Sequence, residues 1–454
     1  MFHDKLTHVQ DLSQAEGRTR VGTSNQQQAP RLSSGARRLT LALMIVLALL
    51  VAVCTSAKAQ SFSTIYKFTG NSDGGTPYAG VTILGPDVYG TTYQAGLHGY
   101  GTVYKFDTLN NRLTALYEFA GGSDCRGPHS GVVYGPEGIF YGTTEYGGGG
   151  NCGFGCGTVY SLKPPATVCK TALCYWTETQ LHLFGRGSDG YLPLGDVNFD
   201  QSGNLYGTAD EGGPSGCGGS GTGVVYELSG SGYMTETILH GFAGPTSDGC
   251  NPHSNLIFDS TGTNLFGTTK YGGSGDCQYG CGTVFEMMPS GSGWNETPIY
   301  NFPGTLPSTA TDIEAGVIMD SAGNLYGATY FSGTVFELSP SGSGWTVTRY
   351  VQLDVPAFCG PVGNLAMDAQ SNLYGATTCG GTDQDGYVFK LTPTSDSWTF
   401  QNLHTFTGGS DGAVPTGNLV FADGNLWGTA SEGGNTNSAC NSGCGTIWEI
   451  TGLN

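Results

Sequence analysis

One short phrase, an aromatic residue followed by glycine, recurs along the chain at intervals of 48 to 65 residues. The seven copies are Tyr89-Gly90, Tyr141-Gly142, Tyr206-Gly207, Phe266-Gly267, Tyr326-Gly327, Tyr374-Gly375 and Trp427-Gly428. Self-similarity at a regular spacing is the signature of a repeat architecture, in which each unit buries a face against its neighbour. The fold of this chain must therefore be built from seven copies of one supersecondary unit.

Each copy contains four short stretches in which apolar and polar residues alternate. In the fourth copy they are "NLIFD" (255–259), "NLFGTT" (264–269), "GTVFEM" (282–287) and "ETPIYNF" (296–302). Alternation with Val, Ile, Tyr and Phe, bounded by Gly, Asn, Asp and Ser, predicts β-strands. The connecting phrases, such as "DSAGN" and "SPSGSG", are rich in residues that favour turns.

Seven repeats of four strands predict an all-β chain folded as a seven-bladed β-propeller with four-stranded antiparallel blades. The last repeat stops after a third strand, "GTIWEI", and an orphan strand at 62–68 is expected to complete it and close the ring. An open solenoid is the alternative fold, and the split last blade favours the propeller. The repeats span approximately 62–113, 114–176, 177–234, 235–294, 295–345, 346–398 and 399–454.

Charge limits the possible partners. The chain has 454 residues, 77 of them Gly, and a formal net charge of -19. Beyond residue 60 it carries 10 Lys or Arg against 33 Asp or Glu. A surface this acidic repels phosphate backbones and anionic membranes. Nucleic acid is therefore not expected as a partner.

Residues 1–59 have the features of an N-terminal extension with a signal peptide. Arg37-Arg38 precede an apolar run at 39–53, and "AKA" at 57–59 supplies a cleavage site near Ala59. The expected mature chain, 60–454, has no membrane span and is secreted, periplasmic or on the cell surface. A lipid-modified Cys54 and a retained anchor are the alternatives.

The motifs "GNLYGT", "GTVFEL", "PSGSGW" and "SDG…P" resemble the GloVer-type tandem repeat of exported bacterial proteins. The resemblance covers 62–454, and the sixth copy departs most, with "YVQLDVPAFCGPVGN" in place of the "SDG" phrase. It implies the propeller fold and export, and it implies no particular activity.

Variable positions on one face of the propeller are the candidates for binding. The loop that links successive blades and the loop between strands two and three share this face, which we call the loop face. Binding residues concentrate on such loops. Six residues follow the linking-loop proline or its equivalent and should surround the mouth of a central funnel: Tyr78, His129, Leu194, His253, Val362 and Thr416. The predicted ligand-binding residues are Tyr78, Tyr93, His129, Tyr146, His253, Tyr271, Tyr330 and Phe331.

These residue types suit sugars, because aromatic rings among hydrogen-bonding groups provide flat platforms for them. A carbohydrate or cell-surface component is therefore the first partner expected, and a protein partner or a structural role in the cell envelope is the alternative. A polysaccharide hydrolase or lyase is the third reading. Its weak catalytic candidates are the acids Glu145, Asp210 and Glu211, because glycosidases use paired carboxylates.

No cofactor or metal is predicted. Aspartates of the "SDG" phrase (Asp73, Asp189, Asp248 and Asp411, with Asp124 in "SDC") are interpreted as turn caps, and a ring of calcium sites is the alternative. The "DxxGN" phrases at Asp200 and Asp320 are interpreted as hairpin turns. The Tyr and His residues of the fourth strands are interpreted as outer-strand packing.

In an exported chain, paired cysteines predict disulfides. The expected pairs are Cys152–Cys156, Cys169–Cys174, Cys277–Cys281, Cys359–Cys379 and Cys440–Cys444. Cys125, Cys217 and Cys250 are left over, and exchange of partners with the nearby pairs stays open. Zinc binding by the C-x-x-x-C loops is the alternative.

Overall fold

The computed structural model describes residues 59–150, 152–165, 176–217, 221–246, 248–304, 312–342 and 344–453. These residues form 32 strands, and their only helices are single 3-10 turns at Pro136–Gly138, Gly187–Asp189 and Ser231–Tyr233. None of the helices in these ranges is long and apolar enough to cross a membrane. The predicted signal sequence (1–58) and the predicted Cys169–Cys174 pair lie outside the described residues.

The strands alternate with turns throughout the described chain. In the first half they are β1 (Ser61–Lys67), β2 (Thr82–Leu84), β3 (Asp87–Thr92), β4 (Thr102–Asp107), β5 (Arg112–Glu118), β6 (Cys125–Arg126), β7 (Val133–Tyr134), β8 (Phe140–Thr144), β9 (Tyr146–Gly147), β10 (Thr158–Lys163), β11 (Thr177–Leu183), β12 (Asn198–Phe199), β13 (Leu205–Ala209), β14 (Val224–Ser229) and β15 (Thr235–Gly241). In the second half they are β16 (Gly249–Cys250), β17 (Ile257–Phe258), β18 (Leu265–Thr269), β19 (Tyr271–Gly272), β20 (Thr283–Ser290), β21 (Gly293–Asn301), β22 (Ile318–Met319), β23 (Leu325–Ala328), β24 (Thr334–Ser341), β25 (Gly344–Gln352), β26 (Ala366–Met367), β27 (Leu373–Thr377), β28 (Tyr387–Pro393), β29 (Trp398–Thr405), β30 (Val420–Ala422), β31 (Asn425–Ala430) and β32 (Thr446–Thr451).

Seven antiparallel four-stranded sheets form the blades of a propeller, as predicted. Their strand orders are β2-β3-β4-β5, β7-β8-β10-β11, β12-β13-β14-β15, β17-β18-β20-β21, β22-β23-β24-β25, β26-β27-β28-β29 and β30-β31-β32-β1. The innermost strand of each blade has only two or three residues, whereas the outermost has seven to nine. Because the inner strands are short, little backbone surrounds the propeller axis. The end of the axis on the loop face is therefore lined by side chains.

The N-terminal strand closes the ring. β1 pairs antiparallel with β32, with Phe62 opposite Ile450 and Thr64 opposite Trp448. The core continues across this junction, because Ile447 of blade seven packs in one cluster with Tyr104 of blade one. Closure gives β32 a fourth-strand partner, so blade seven has four strands like the other six blades.

The repeated aromatic–Gly phrase has a structural explanation in the third strand. In every blade this glycine lies directly opposite an aromatic residue, and a Cβ on it would come within 2.2 to 2.7 Å of that side chain. The pairs are Gly90–Tyr104, Gly142–Tyr160, Gly207–Tyr226, Gly267–Phe285, Gly327–Phe336, Gly375–Phe389 and Gly428–Trp448. The ring therefore covers the glycine backbone, and only glycine leaves room for it.

The "DxxGN" phrase before it is a hairpin turn held by one carboxylate. Asp320 Oδ1 accepts backbone N–H bonds from Ala322 and Asn324, both 2.9 Å. Its Oδ2 accepts from Asn324 Nδ2 (2.8 Å) and from the Tyr326 hydroxyl (2.9 Å). Asp200 and Asp368 repeat this pattern. The turn and the aromatic of the aromatic–Gly phrase are thus one unit.

The "SDG" aspartates combine two roles that the sequence suggested separately. Asp73 accepts the Thr69 backbone N–H (2.7 Å) and the Tyr66 hydroxyl (3.0 Å), so it caps its turn and also holds the fourth-strand ring. Asp411 does the same with the Thr407 backbone N–H and with His404, each at 3.1 Å. Each such aspartate lies in a loop that joins two blades.

Five disulfide bonds staple the described loops. Four of them are predicted pairs, Cys152–Cys156, Cys277–Cys281, Cys359–Cys379 and Cys440–Cys444. The fifth, Cys217–Cys250, joins two cysteines that the sequence analysis left over, and it connects a loop of blade three to the loop that enters blade four. Cys125 is buried and is the free cysteine of the described part of the chain. These bonds fit an extracellular protein.

We predict that Gly428→Ala destabilises the propeller strongly. The new Cβ would lie 2.3 Å from the fully buried Trp448 ring, and overpacking of this kind costs about 1–3 kcal/mol. Urea unfolding should show a lower midpoint. Gly293→Ala is the control, since nothing lies within 4 Å of a Cβ there. Equal unfolding midpoints for both variants would contradict the argument that the Trp448 ring requires glycine at position 428.

Candidate functional site

A cavity of about 250 Å³ lies on the propeller axis and opens on the loop face. We call it the axial cavity. Every blade contributes the first residue of its approach to the inner strand: Tyr78, His129, Leu194, His253, Glu314, Val362 and Thr416. The six residues predicted for the funnel mouth are all in this set, and Glu314 supplies the blade for which the sequence analysis named none.

Proline and glycine fix these residues in place. In five blades the proline immediately before the mouth residue occupies the space beside the glycine that precedes the third strand of the neighbouring blade. A Cβ on that glycine would lie 2.3 to 2.8 Å from the proline ring. The pairs are Pro77–Gly445, Pro128–Gly101, Pro193–Gly157, Pro252–Gly223 and Pro415–Gly386. In these five blades, packing between neighbouring blades therefore fixes the backbone position of the mouth residue.

Amide and carboxylate side chains form the floor of the axial cavity. Asn418 Nδ2 donates to Asp196 Oδ2 (2.8 Å), and Asn364 Nδ2 donates to Asn255 Oδ1 (2.6 Å). The Asn364 backbone N–H also donates to Asn418 Oδ1 (2.7 Å). These four residues come from blades three, four, six and seven, so the network runs across the axis.

Three other blades have glycine at the same position, and its backbone completes the floor. Gly131 N–H donates to Asp196 Oδ1 (2.7 Å), and Gly316 N–H donates to Asn364 Oδ1 (2.6 Å). Burial raises the pKa of Asp196, although these bonds from Gly131 and Asn418 oppose the shift. The floor is thus polar and internally satisfied, and it closes the cavity at its lower end.

Two histidines on the wall have opposite electrostatic surroundings. His129 stacks on Tyr78 with ring centroids 5.5 Å apart and meets His253 edge to face at 5.9 Å. Burial and the neighbouring His253 lower the pKa of His129. Burial would also lower the pKa of His253, but Asp210, with Oδ1 3.4 Å from Nδ1, raises it above the ordinary histidine value. These surroundings therefore favour the neutral form of His129 and the charged form of His253.

An ion pair lies beside these histidines. Lys270 Nζ donates to Glu314 Oε1 at 2.5 Å. Burial would lower the pKa of Lys270, but the Glu314 carboxylate raises it. Tyr330 lines the cavity near this pair. Burial, together with Glu314, raises the pKa of the Tyr330 phenol.

The remaining predicted residues divide by the direction of their side chains. Tyr93 lies next to the cavity wall, against Tyr78 (5.2 Å between centroids), and its hydroxyl donates to Glu145 Oε2 at 2.7 Å. The residues one position further along do not line the cavity, because successive residues of an extended chain point to opposite sides. They are Tyr146, Tyr271 and Phe331.

These outward-pointing residues have other neighbours. Tyr146 lies in β9, which pairs with β6, and its ring faces Arg126 at 5.0 Å. Tyr271 lies in β19, which pairs with β16. Phe331 packs edge to face on Phe358 at 4.5 Å. Of the acids suggested as catalytic, Asp210 contacts His253, Glu145 contacts Tyr93 and Glu211 accepts the Tyr191 hydroxyl.

The four polar residues of the cavity floor were not among the predicted site residues. They stand two positions after the mouth residues, in "LGDVN", "HSNLI", "VGNLA" and "TGNLV", where the other repeats have glycine. An alignment of this position would have shown Gly in three repeats and Asn or Asp in the other four. Mouth position Glu314 was also missed, because blade five lacks the proline that marks the others.

We predict that Asp210→Asn lowers the pKa of His253 by removing the carboxylate that raises it. A histidine with a raised folded-state pKa contributes stability below its unfolded pKa of about 6.5 and loses it as the pH rises through the folded value. The variant should therefore lose more stability relative to wild type at acid pH than at alkaline pH. Two-dimensional NMR titration of the imidazoles and denaturant unfolding at both pH values measure this. A His253 pKa that stays below that of His129 in wild type would contradict the arrangement.

The propeller resembles solved structures of distant sequence. Virginiamycin B lyase from Staphylococcus aureus has 13% sequence identity over 86% of this chain and 98% of that chain, with a TM-score of 0.51. Puromycin hydrolase has 12% identity over 81% of this chain and 52% of that chain, with a TM-score of 0.52. At such identities the likeness shows the fold alone. No functionally curated protein matches the sequence.

The repeat itself is matched by a family model. The model described as the Gloeobacter/Verrucomicrobia repeat matches residues 53–220, 154–348 and 277–453, which together cover the whole propeller. The chain is therefore a member of the Gloeobacter/Verrucomicrobia repeat family, with seven copies of the repeat closed into one propeller.

Proposed function

We propose that the protein is an exported binding protein that takes a carbohydrate unit of a cell-surface glycan into its axial cavity. The observation that carries this proposal is the combination of aromatic and polar groups on the cavity wall. Tyr78 and Tyr330 supply flat rings, and Glu314 and His253 supply hydrogen-bonding groups. Sugars present both apolar ring faces and hydroxyls, so they match such a wall.

Cavity size supports a small occupant. Ligand sites commonly have volumes of about 300–1,000 Å³, and the axial cavity, at about 250 Å³, is near the lower end. It suits one sugar ring at the end or branch of a chain better than an extended oligosaccharide. The polar floor also suits an occupant that carries hydroxyl groups.

Exposed apolar residues around the loop face support contacts beyond the cavity. Leu97 is 71% exposed, Phe154 68% and Phe358 53%, and all three stand on loops of this face. A glycan chain that leaves the cavity, or the protein that carries it, would meet these residues. The disulfide bonds support a location outside the cytoplasm. Cleavage of the leader near Ala59 is part of the proposal and rests on the sequence alone.

A hydrolase or lyase is the second candidate, and the histidine pair favours it. Neighbouring groups whose surroundings move their pKa values apart can act as base and acid. The neutral His129 is suited to accept a proton and the charged His253 to donate one, since Asp210 stabilises its imidazolium. Turnover of a polysaccharide that His129→Gln abolishes would support this candidate over simple binding.

We predict that Tyr330→Ala weakens glycan binding about 5- to 30-fold, because loss of one stacking platform removes about 1–2 kcal/mol. A glycan array identifies the ligand, and titration calorimetry measures its affinity. Tyr350→Ala is the matched control, since this tyrosine is in the same blade but on the outermost strand and is 48% exposed.

The outcomes separate the three readings. Binding that Tyr330→Ala and Tyr350→Ala leave unchanged would place the ligand elsewhere and contradict the axial site. Equal loss in Phe331→Ala, whose side chain points away from the cavity, would move the site to the rim around Phe358. Absence of glycan binding and of polysaccharide turnover, with capture of one envelope protein, would favour a protein-interaction scaffold.

A further inference from the structure

A cluster of three metal-ligand side chains lies far from the axis, at the junction of blades three and four. His240 lies on β15, Asp248 in the blade-linking loop and Glu296 on β21. His240 Nε2 is 3.0 Å from Asp248 Oδ2 and 4.0 Å from Glu296 Oε2. One potential ligand atom from each residue lies within 4.8 Å of the others. We call this set the junction cluster.

Glu296 is buried in the junction cluster with an unused ligand atom. Its side chain is only 5% exposed, and its Oε1 has no hydrogen-bond partner among the described residues. The Asp248 side chain beside it is 9% exposed. Within the described ranges, no Lys or Arg forms an ion pair with either carboxylate. The His240 imidazole is the one cation-forming side chain paired with these two carboxylates in the described ranges, and burying two carboxylates is costly, so this arrangement points to a further positive ligand.

We propose that the junction cluster binds a divalent transition-metal ion, with Zn²⁺ as the best match. One imidazole nitrogen and two carboxylate oxygens form a donor set that Zn²⁺ accepts, whereas Ca²⁺ requires six to eight oxygen ligands. The ion would connect the outer strands of two blades through side chains from both. The proposed metal site is independent of the carbohydrate site proposed on the axis.

The distances agree with such an ion. Tetrahedral coordination with bonds of about 2.0–2.1 Å separates its ligand atoms by roughly 3.3 Å. The observed separations from His240 Nε2, 3.0 and 4.0 Å, bracket this value. Asp248 is already positioned, because its carboxylate accepts the backbone N–H groups of Ala243 and Gly249, each at 2.7 Å. His240 is 24% exposed and gives the ion a path from solvent.

Equivalent junctions of the same propeller provide internal comparisons. Between blades two and three, His182, Asp189 and Glu236 repeat the donor set, with both carboxylates 3.2 Å from His182 Nε2. Between blades six and seven, His404 and Asp411 keep the pair at 3.1 Å. There Phe62 occupies the place of the glutamate and stacks on His404 with centroids 3.5 Å apart. That junction lacks the third ligand and serves as a control.

The test measures Zn²⁺ uptake by the purified protein after chelation, by equilibrium dialysis with elemental analysis. Glu296→Gln and His240→Gln should each bind one equivalent fewer than wild type, and His404→Gln should bind the same number. Loss of a direct ligand should lower the Zn²⁺ affinity by more than about 100-fold, because mutation of a residue that only hydrogen-bonds to a metal ligand already lowers metal affinity by about 10–100-fold. Zn²⁺ at 100 times the Kd should raise the unfolding midpoint of wild type by about 3 °C.

Unfolding midpoints in EDTA show whether the variants fold, and the two independent substitutions protect the test against one misfolded variant. A Glu296→Gln protein that retains the wild-type number of ions would overturn the proposal. So would a wild-type protein that takes up no stoichiometric Zn²⁺, or one that binds Ca²⁺ in its place. A loss of uptake in His404→Gln as large as in His240→Gln would also count against it.

Discussion

The contact between a third-strand aromatic ring and a second-strand glycine is the constraint on which the propeller depends. It occurs in all seven blades, and a Cβ on the glycine would leave no room for the ring. With the ring in that space, the blade becomes thick enough to pack against the next one. The proline of the linking loop then packs on a second glycine and sets the spacing between blades. The first glycine contact occurs in all seven repeats and the second in five, and together they determine the thickness of a blade and its position in the ring.

These contacts explain why the fold could be predicted. The turn and strand residues of the phrase that runs from Asp320 to Leu338 act within their own blade, so the chain carries the same local signal seven times, once in each repeat. The turn aspartate, the aromatic, the glycine and the third-strand ring are close in sequence and in space. Ring closure was equally readable, because a lone fourth strand at one end complements a missing one at the other.

The candidate site was predictable only in part, because its contacts cross the axis. Asn418 and Asp196 are 222 positions apart, and Asn364 and Asn255 are 109 apart. No local sequence pattern predicts contacts between residues so far apart in the chain. The mouth residues were found because each follows a local marker, usually proline. Tyr146 and Tyr271, also predicted to bind ligand, do not line the axial cavity. Cys217 and Cys250 were missed as a pair because they belong to different blades.

Departure from sevenfold symmetry has a different cause at each level of the axis. At the floor, a Cβ on Gly80 would lie 2.2 Å from the Asn418 carbonyl oxygen and one on Gly316 would lie 2.9 Å from Asn364 Oδ1. Packing therefore requires glycine at these positions beside the Asn and Asp side chains. At the mouth, equivalent positions hold side chains as different in size as Tyr78, Leu194 and Thr416, so packing does not dictate one residue type there. Yet tyrosine, two histidines and Glu314 occupy the mouth positions of blades one, two, four and five. Variation that packing does not force is the better evidence for a ligand, so the mouth and not the floor carries the functional argument.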